Sequence, residues 1–433
     1  MKAKWTSVIL ISMICFLTAC SVGYTGSSKA KKAEIEFWHA MTGELEQTLE
    51  KMTADFNARN SSVQIKLVNQ GNYTQLQEKL IAAAKVKQLP VLAQTYADWN
   101  DEFIRAGLVI NLNTYLFDDE TGWSQQELED IYPVFLDENR WDGNYYSLPF
   151  NKSVQVLFYN KTLLDQYHVA VPTTWEEWSE AAAALTRSKP GGKGNIIGTG
   201  FENAVFREAY PYVMQAGGDF FDEQNRKVSF NTSDGQNGIS FIQGMLQDGI
   251  ARLAGEDQYM STPFGRGDVA MFVGSSAGIA FVKNAVGDKF EWSTAVLPRG
   301  KQSVAFIQGT NISMFDNGSK EQQLEAWNYM KHLLNTENNA YWAERTGYLP
   351  IRKSVMELPG YQEYLQENPY FASASQQLQA DQYLSKIAYA NLMDPVLIKE
   401  MEAMLIGGKS VNEGLADADR KINDKLADRE KTR

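Results

Sequence analysis

The amino-acid sequence predicts an α/β fold with two domains and a parallel sheet covered by helices. Between Ile35 and Thr95, short apolar strand patterns alternate with helical patterns, and this alternation is typical of a parallel sheet. A second series of the same kind begins near Leu148. The length points the same way, because removal of a leader at residues 1–19 from 433 leaves 414, too many for one hydrophobic core.

In the first series, apolar residues recur at helical spacing between the first two strands and form one buried stripe. Thr74 and Gln77 are expected to form a capping box that opens the next helix, after a turn that contains Tyr73. The three strands of this series are predicted at Ile35–Trp38, Val63–Val68 and Pro90–Thr95.

In the second series, Thr174 and Glu177 indicate a capping box for a helix that continues through Leu185. A further helix is expected around Ile239, Ile242 and Leu246, and another around Trp327–Leu334. The strands of this part are predicted at Val154–Tyr159, Val269–Val273 and Val304–Met314.

The amino terminus has the pattern of an export signal. Two lysines precede a short apolar run, and Leu17-Thr18-Ala19 then places small residues before Cys20. This arrangement resembles a bacterial lipoprotein signal, which implies cleavage after residue 19 and a lipid on Cys20. The alternative is an ordinary signal peptide with a chance cysteine. Residues 20–33 are rich in small and polar residues and are expected to form a flexible tether.

Charge and cysteine content exclude several classes of protein. Loss of residues 1–19, with two lysines and no acid, changes the formal net charge from −12 to −14, which argues against nucleic acid or an anionic lipid surface as partner. Cys15 would leave with the signal and Cys20 would carry lipid, so no disulfide is expected. Aromatic residues make up 12%, which suits a site that stacks on ring-shaped ligands.

The sequence gives no positive support for an enzyme. The histidines His39, His168 and His332 lack metal-ligand spacing, and no nucleophile elbow or phosphate-binding loop is present, so no metal or cofactor is predicted. Acidic pairs such as Asp118–Asp119 could be proposed as glycosidase residues. Such pairs occur by chance among 53 acidic residues, and their spatial separation cannot be derived from sequence.

A binding function has more support, because polar and aromatic residues follow the predicted strands. In open α/β sheets, ligands lie beyond the carboxyl ends of the strands. Three of the predicted strands are followed in this way, and Tyr73 lies in the turn after a fourth. The groups that follow strands are Trp38-His39, Tyr96-Ala97-Asp98-Trp99 and Gly274-Ser275-Ser276.

Several stretches together resemble the extracellular solute-binding proteins (family 1) of bacterial ABC importers for sugars and polyols, nearest the glycerol-3-phosphate-binding type. The resemblance extends through almost the whole chain after the tether. Its matching stretches are Phe37–Leu45, Gly71-Asn72-Tyr73, Pro149-Phe150-Asn151, Leu157–Lys161, Ala270-Met271, Gly309 and Thr346–Pro350.

This resemblance implies a two-domain, periplasmic-binding-protein-like (type II) α/β fold with a hinged cleft between the domains. The first domain would comprise residues 34–149 and 304–350, and the second residues 150–303 and 351–433. The crossings would lie near Leu148–Asn151, Ser303 and Pro350. With the strand-end residues, the candidate ligand site comprises Trp38, His39, Glu44, Tyr73, Tyr96, Asp98, Trp99, Asn151, Ser153, Ser275, Gly309 and Tyr348.

Two departures from the glycerol-phosphate type concern the ligand. Ala97 stands where a glutamate is expected, although Asp98 adjoins it, and no arginine is evident near Asn391–Asp394. Loss of a bidentate phosphate partner favours a neutral sugar or oligosaccharide over glycerol phosphate.

The expected function is therefore solute capture outside the cytoplasm. The chain would be anchored to the cell membrane by the lipid on Cys20 and would deliver a sugar, oligosaccharide or glycerol-phosphate-like polyol to the membrane subunits of an ABC permease. Two alternatives stay open from sequence: a secreted carbohydrate-active lipoprotein enzyme and a surface adhesion lipoprotein without a closing cleft.

Overall fold

The computed structural model describes residues 32–189, 194–206, 209–222, 224–378, 380, 382–384 and 389–431. The described residues from Ala33 onward form one compact unit. The predicted leader, Cys20 and nearly all of the predicted tether lie outside the described residues. Within the described ranges, no helix is both long and apolar enough to cross a membrane.

The strands are mostly short, and the two longest are β6 and β15. The strands are β1 (Ala33–His39), β2 (Val63–Asn69), β3 (Leu92–Thr95), β4 (Arg140–Trp141), β5 (Asn144–Tyr145), β6 (Ser147–Asn160), β7 (Arg187–Ser188), β8 (Asn195–Ile196), β9 (Thr199–Phe201), β10 (Phe221–Asp222), β11 (Lys227–Val228), β12 (Ala251–Leu253), β13 (Met271–Ser275), β14 (Trp292–Ala295), β15 (Val304–Met314) and β16 (Gln382–Leu384).

Helices alternate with the strands through most of the chain and close it at the carboxyl end. The helices are α1 (Glu44–Arg59), α2 (Tyr73–Lys85), α3 (Ala97–Arg105), α4 (Asn113–Leu116), α5 (Gln125–Asp130), α6 (Pro133–Asp137), α7 (Lys161–Tyr167), α8 (Trp175–Leu185), α9 (Tyr210–Gln215), α10 (Ser233–Gln247), α11 (Ser261–Gly265), α12 (Ile279–Val286), α13 (Lys320–Leu333), α14 (Thr336–Thr346), α15 (Pro359–Glu367), α16 (Ala372–Gln377), α17 (Ala390–Leu405) and α18 (Val411–Lys431).

One mixed sheet organises the fold. Its strand order is β12-β9-β13-β6-β15-β3-β1-β2, with β14 also paired to β6 and β16 to β15. The prediction of a parallel sheet is confirmed for the first three strands, because β1 pairs in parallel with both β2 and β3. In contrast, β15 runs antiparallel to β3 and to β6, so the sheet as a whole is mixed.

The strand β6 connects the two halves of this sheet. Its first part, from Ser147 to Val154, pairs with β15, and its second part, from Gln155 to Tyr159, pairs with β13. All but one of its residues are buried. Only its apolar second half was predicted as a strand, because the first half contains Pro149 and the polar run Asn151–Ser153.

Two large apolar cores cover different parts of the sheet. The first includes Phe37 on β1 together with Trp327 of α13 and Trp342 of α14. The second is built mainly from α8, α9 and α10 and from α17 and α18 at the carboxyl end, for example Trp178 and Ile422. Two cores of this size are consistent with the length argument, since a chain of this size exceeds what one core supports.

The helix starts agree with the sequence in one case and differ in another. Thr174 caps α8 by accepting from the Glu177 amide, as predicted, but the Glu177 carboxylate accepts from the amide and hydroxyl of Thr173, so the predicted box is formed only in part. At α2 the predicted Thr74–Gln77 box is wrong. Asn72 is the cap and forms the box with Gln75, so the helix starts two residues earlier than predicted and Tyr73 becomes its first residue. An Asn side chain is as good a cap as a Thr, and here it precedes the Thr.

Candidate ligand-binding site

One face of the sheet centre carries a row of polar side chains. Along β6 every second residue points to the same face, which places Asn151, Ser153 and Gln155 in line. Their direct partners on the neighbouring strands point the same way: Thr310 and Gln308 lie opposite Asn151 and Ser153 on β15, and Ser275 lies opposite Gln155 on β13. We call these six residues the polar stripe. The Ser153 and Ser275 hydroxyls are 2.9 Å apart.

At one end of the polar stripe lies a group of predicted aromatic residues. The Tyr96 ring packs edge-on against Tyr73 at 5.3 Å and against Trp99 at 5.1 Å between ring centroids. Trp38, on β1, packs against the same apolar cluster. The link to the stripe is direct, because the Asn151 Nδ2 donates to the Tyr73 hydroxyl over 3.1 Å.

Tyr348 joins this end of the stripe from a different part of the chain. Its hydroxyl makes hydrogen bonds with Asn151 and Tyr73, while its ring stacks on Trp342 with centroids 6.1 Å apart. Burial raises the pKa of the Tyr73 and Tyr348 phenols, so both hydroxyls are neutral and can donate and accept. The predicted residues Tyr73, Asn151 and Tyr348 are therefore brought together.

At the other end of the stripe is a cavity of about 640 Å³. Three stripe residues form part of its wall, and aromatic residues form much of the rest. Its lining residues are Gln155, Phe158, Phe201, Glu202, Asn203, Ala204, Val205, Tyr212, Gln258, Tyr259, Ser261, Phe272, Val273, Gly274, Ser275, Ala277, Gly278, Phe281, Val282 and Gln308. The cavity lies at the carboxyl ends of the parallel strands β9 and β13, where α/β sheets present ligands.

Two aromatic rings of this cavity are strongly exposed. Tyr259 is 68% and Phe281 65% accessible, although most large apolar side chains of the protein are buried. An exposed ring beside a concave, mostly apolar cavity is an available stacking surface. None of the described residues that line the cavity is a lysine, arginine or histidine, so its wall carries no positive charge there.

Glu202 is the acidic residue among these lining residues. It follows β9 directly, and both of its carboxylate oxygens accept from the Met260 amide, at 3.1 and 3.0 Å. Burial raises the pKa of Glu202 to about 7, against the opposing effect of the Met260 N–H. The side chain thus exchanges its proton near neutral pH inside a ligand-sized cavity.

Strands β6 and β15 and the segment at Leu349 lie side by side beside the stripe, next to the predicted crossings at Leu148–Asn151 and Pro350. Lys152 of β6 lies opposite Gly309 of β15, and its carbonyl accepts from the Leu349 amide over 2.7 Å. Gly309 has φ +113°, and a Cβ there would lie 1.8 Å from the Asn151 carbonyl oxygen, so only glycine fits. The Lys152 ammonium is fully buried and pairs with Glu138 at 2.6 Å.

Three other predicted residues have different surroundings. His39 is buried, its Nδ1 accepts from the Met41 amide, and burial lowers the pKa of His39 to about 4, so the ring is neutral. Glu44 is exposed in the first turn of α1, and Asp98 lies in the first turn of α3, where the helix dipole favours an acid. These positions have structural explanations, and ligand contact there stays a prediction.

Sequence reasoning missed the residues that shape the cavity. Glu202 was not predicted, because the strand it follows, β9, has only three residues and leaves no recognisable pattern. Tyr259 and Phe281 were not predicted, because neither directly follows a predicted strand. The signal for Gln155 was present, since the polar residues Asn151, Ser153 and Gln155 alternate along a buried strand. Among the described residues, no group of histidine, cysteine and acidic side chains could hold a metal ion.

Comparison with known proteins agrees with this arrangement. The family model for bacterial extracellular solute-binding proteins matches residues 51–369. The sn-glycerol-3-phosphate-binding periplasmic protein UgpB of Salmonella typhimurium is 26% identical over 374 residues, which are 83% of each chain, and that of Escherichia coli K12 is 25% identical over 358 residues, 79% of this chain and 80% of that protein.

Solved structures with the same fold include proteins named for different solutes. UgpB from Mycobacterium tuberculosis in complex with glycerophosphocholine has a TM-score of 0.79 at 20% identity and covers 92% of this chain and 99% of its own. The sugar-binding protein MalE from Xanthomonas citri has a TM-score of 0.79 at 21% identity and covers 92% of this chain and 98% of its own. These likenesses confirm the predicted two-domain binding-protein fold.

The family match covers well over half of the chain, and it agrees with a cavity that offers stacking surfaces and hydrogen-bonding groups. It also confirms the interpretation as a binding protein and not an enzyme. The chain belongs to the bacterial extracellular solute-binding proteins.

Proposed function

We propose that this protein is the lipid-anchored, substrate-binding component of an ABC importer and that it captures a neutral sugar or oligosaccharide. The composition of the cavity is the observation that favours a neutral sugar as the ligand. It combines exposed aromatic rings with amide and hydroxyl side chains, and its described lining residues include no cation.

Sugars have apolar faces and polar hydroxyls, and the cavity offers suitable groups for both. Their C–H faces are apolar and stack on rings such as Tyr259 and Phe281, while their hydroxyls need donors and acceptors around the rim. The amides Gln155, Gln258 and Gln308 supply both, as do the neutral tyrosine hydroxyls at the far end of the stripe. The 640 Å³ volume falls in the range of sites for small molecules.

An anionic ligand fits the cavity less well. Phosphate groups in proteins are held by arginine, lysine or helix amino termini, and bidentate arginine contacts are the strongest of these. Glu202 would instead repel a phosphate when ionised. The curated relatives are named for sn-glycerol 3-phosphate, whereas several structural neighbours are named for neutral sugars such as maltotriose and cycloalternan. The cavity of this chain favours the second group.

The importer and anchor parts of the proposal rest on different support. A structural neighbour from Listeria monocytogenes is named an ABC substrate-binding protein, and the family is extracellular. The anchor rests on the sequence Leu17-Thr18-Ala19-Cys20. A lipid on Cys20 would keep the protein next to the permease that takes up the captured solute.

A thermal-shift panel tests the ligand class. The panel contains maltotriose, maltotetraose and cycloalternan as neutral sugars, sn-glycerol 3-phosphate as an anion and glycerophosphocholine as a zwitterion. A ligand that binds only the folded state at 100 times its Kd stabilises it by about 2.7 kcal/mol. We expect at least one neutral sugar to raise Tm and the anion to leave it unchanged. A rise with sn-glycerol 3-phosphate alone would contradict the proposal.

The Cys20→Ser variant tests the anchor. We expect the protein to fold and to bind its solute as before but to leave the membrane fraction or remain unprocessed, because the lipid is attached through the cysteine sulfur. Fractionation of cells followed by immunoblotting measures this, and Cys15→Ser is the matched control that should stay at the membrane. A fully processed, membrane-bound Cys20→Ser protein would exclude the lipoprotein assignment.

A further inference from the structure

Glu202 stands apart from the other polar groups of the cavity because it can change its charge near neutral pH. The remaining polar lining residues, such as Gln155, Gln308 and Ser275, are neutral. Among the described residues, both Glu202 oxygens share one donor, the Met260 amide. A carboxylate can accept about four hydrogen bonds, so this contact leaves acceptor capacity on a group that lines the cavity.

The charged groups on the elements packed beside Glu202 are largely paired with one another. Arg252, on β12, pairs with Asp257 at 2.8 Å, and Arg266, at the end of α11, pairs with the same Asp257 at 3.0 Å. Glu256 is exposed. Burial therefore dominates the behaviour of Glu202 and favours its protonated form. Arg207 and Glu208, five and six positions further on, lie outside the described residues, and the experiment below includes a variant for the arginine.

We propose that Glu202 is a proton-linked contact for the solute, so that binding of a neutral sugar releases a proton and weakens as the medium becomes acidic. This inference rests on the proposed function. A sugar brings hydroxyl donors to the unused acceptor positions of Glu202, and hydrogen bonds to a carboxylate are about twice as strong as neutral ones. The bound state therefore favours the ionised carboxylate, and the proton leaves to solvent.

Proton linkage determines the direction and the upper limit of the pH effect on sugar affinity. If the sugar binds only the ionised form, its affinity falls as the protonated fraction of the free protein rises. With a pKa of about 7 in the free protein, the affinity at pH 5.5 should be lower than at pH 8 by up to about 30-fold. A solute that instead accepted a hydrogen bond from the neutral acid would bind more tightly at pH 5.5.

Isothermal titration of the full mature chain at pH 5.5, 7 and 8 tests this, with maltotriose, maltotetraose and cycloalternan as probes and two buffers of different ionisation enthalpy. We expect wild type to lose affinity on acidification and to release up to about half a proton per sugar at pH 7, and close to one at pH 5.5. Glu202→Gln should be independent of pH. Glu256→Gln, the exposed control, and Arg207→Gln should keep the wild-type dependence.

Three results would overturn the proposal: a wild-type affinity that is flat with pH, an affinity that rises on acidification, or the same dependence in Glu202→Gln. Loss of the dependence in Arg207→Gln would also overturn it, because the arginine would then be the linked group. Failure of all three sugars to bind at every pH is a different result. It refutes the neutral-sugar function itself and the linkage with it.

The protein without ligand gives a second measurement that does not depend on the sugar. The pKa of Glu202 is about 7 in the folded protein and near its ordinary value of 4.5 when unfolded. Between these values the folded state holds more protons, so stability falls as pH rises through this window. The Tm of wild type should therefore fall relative to Glu202→Gln between pH 4.5 and 7, and parallel Tm curves would contradict the assignment.

Discussion

Replacing Lys152 by methionine is expected to lower the free energy of unfolding by about 3–5 kcal/mol, because it removes the ammonium that pairs with the buried Glu138 carboxylate. The ammonium lies 2.6 Å from the Glu138 carboxylate, and the two side chains are 0% and 3% exposed. Methionine keeps a similar apolar length, so the loss comes from the broken ion pair and not from a cavity. Chemical denaturation of wild type and variant measures it.

The matched comparison uses a surface pair and a double variant. Lys161 pairs with Asp165 at the same 2.6 Å distance, but these side chains are 46% and 63% exposed, so Lys161→Met should cost less than about 1 kcal/mol. Adding Glu138→Gln to Lys152→Met should restore much of the lost stability, since no buried charge then remains. A cost for Lys152→Met no larger than that for Lys161→Met would refute this account.

The position of the Lys152–Glu138 pair also bears on domain closure. Lys152 lies where β6, β15 and the segment at Leu349 run side by side, next to the predicted crossings at Leu148–Asn151 and Pro350. If the domains close on the solute, these segments have to accommodate the movement. A buried ion pair at that point would fix how the segments are aligned, and the double variant would separate its effect on closure from its effect on stability.

The second large effect is expected on affinity. Removing the rings of Tyr259 and Phe281 together, as alanine substitutions, should weaken binding of a neutral sugar by about 1–3 kcal/mol, since aromatic contacts contribute about 0.5–1.5 kcal/mol each beyond area burial. This corresponds to roughly 5- to 150-fold in Kd. Titration calorimetry with the neutral sugar that raises Tm most measures it.

The stability of the same variant shows whether the rings act on the solute or on the fold. Both rings are about two-thirds exposed, and substitutions at such positions usually change stability by no more than about 0.5 kcal/mol. Phe117, 55% exposed and outside the cavity lining, provides the control, and Phe117→Ala should leave Kd unchanged. An unchanged Kd in the double variant would mean that the solute binds elsewhere.

Much of the fold could be predicted from sequence, because local patterns determine it. The boundaries of β15 agree with the predicted Val304–Met314, and the alternating series correctly indicated parallel pairing of β1, β2 and β3. The cap of α2 was misplaced because two capping residues, Asn72 and Thr74, stand close together. The predicted division into domains at residues 149–150 and 303–304 stays a prediction.

The site could be predicted only in part, for a physical reason. Tyr73, Asn151 and Tyr348 were expected at the site and make direct contacts, as do Ser153 and Ser275. The residues of the cavity were not found, because Glu202 and Phe281 come together through strand order and helix packing, which no local pattern records. The ligand roles of the predicted residues remain to be tested.

Hydrogen–deuterium exchange with and without the neutral sugar that raises Tm most tests the central claim, that this cavity holds the solute. The account predicts that the sugar slows exchange in the segments around Asn203–Phe206, Gln258–Ser261 and Ile279–Val282, which surround the cavity, while α15 and the outer face of α1 exchange as before. Protection confined to segments away from the cavity, with these three unchanged, would contradict it.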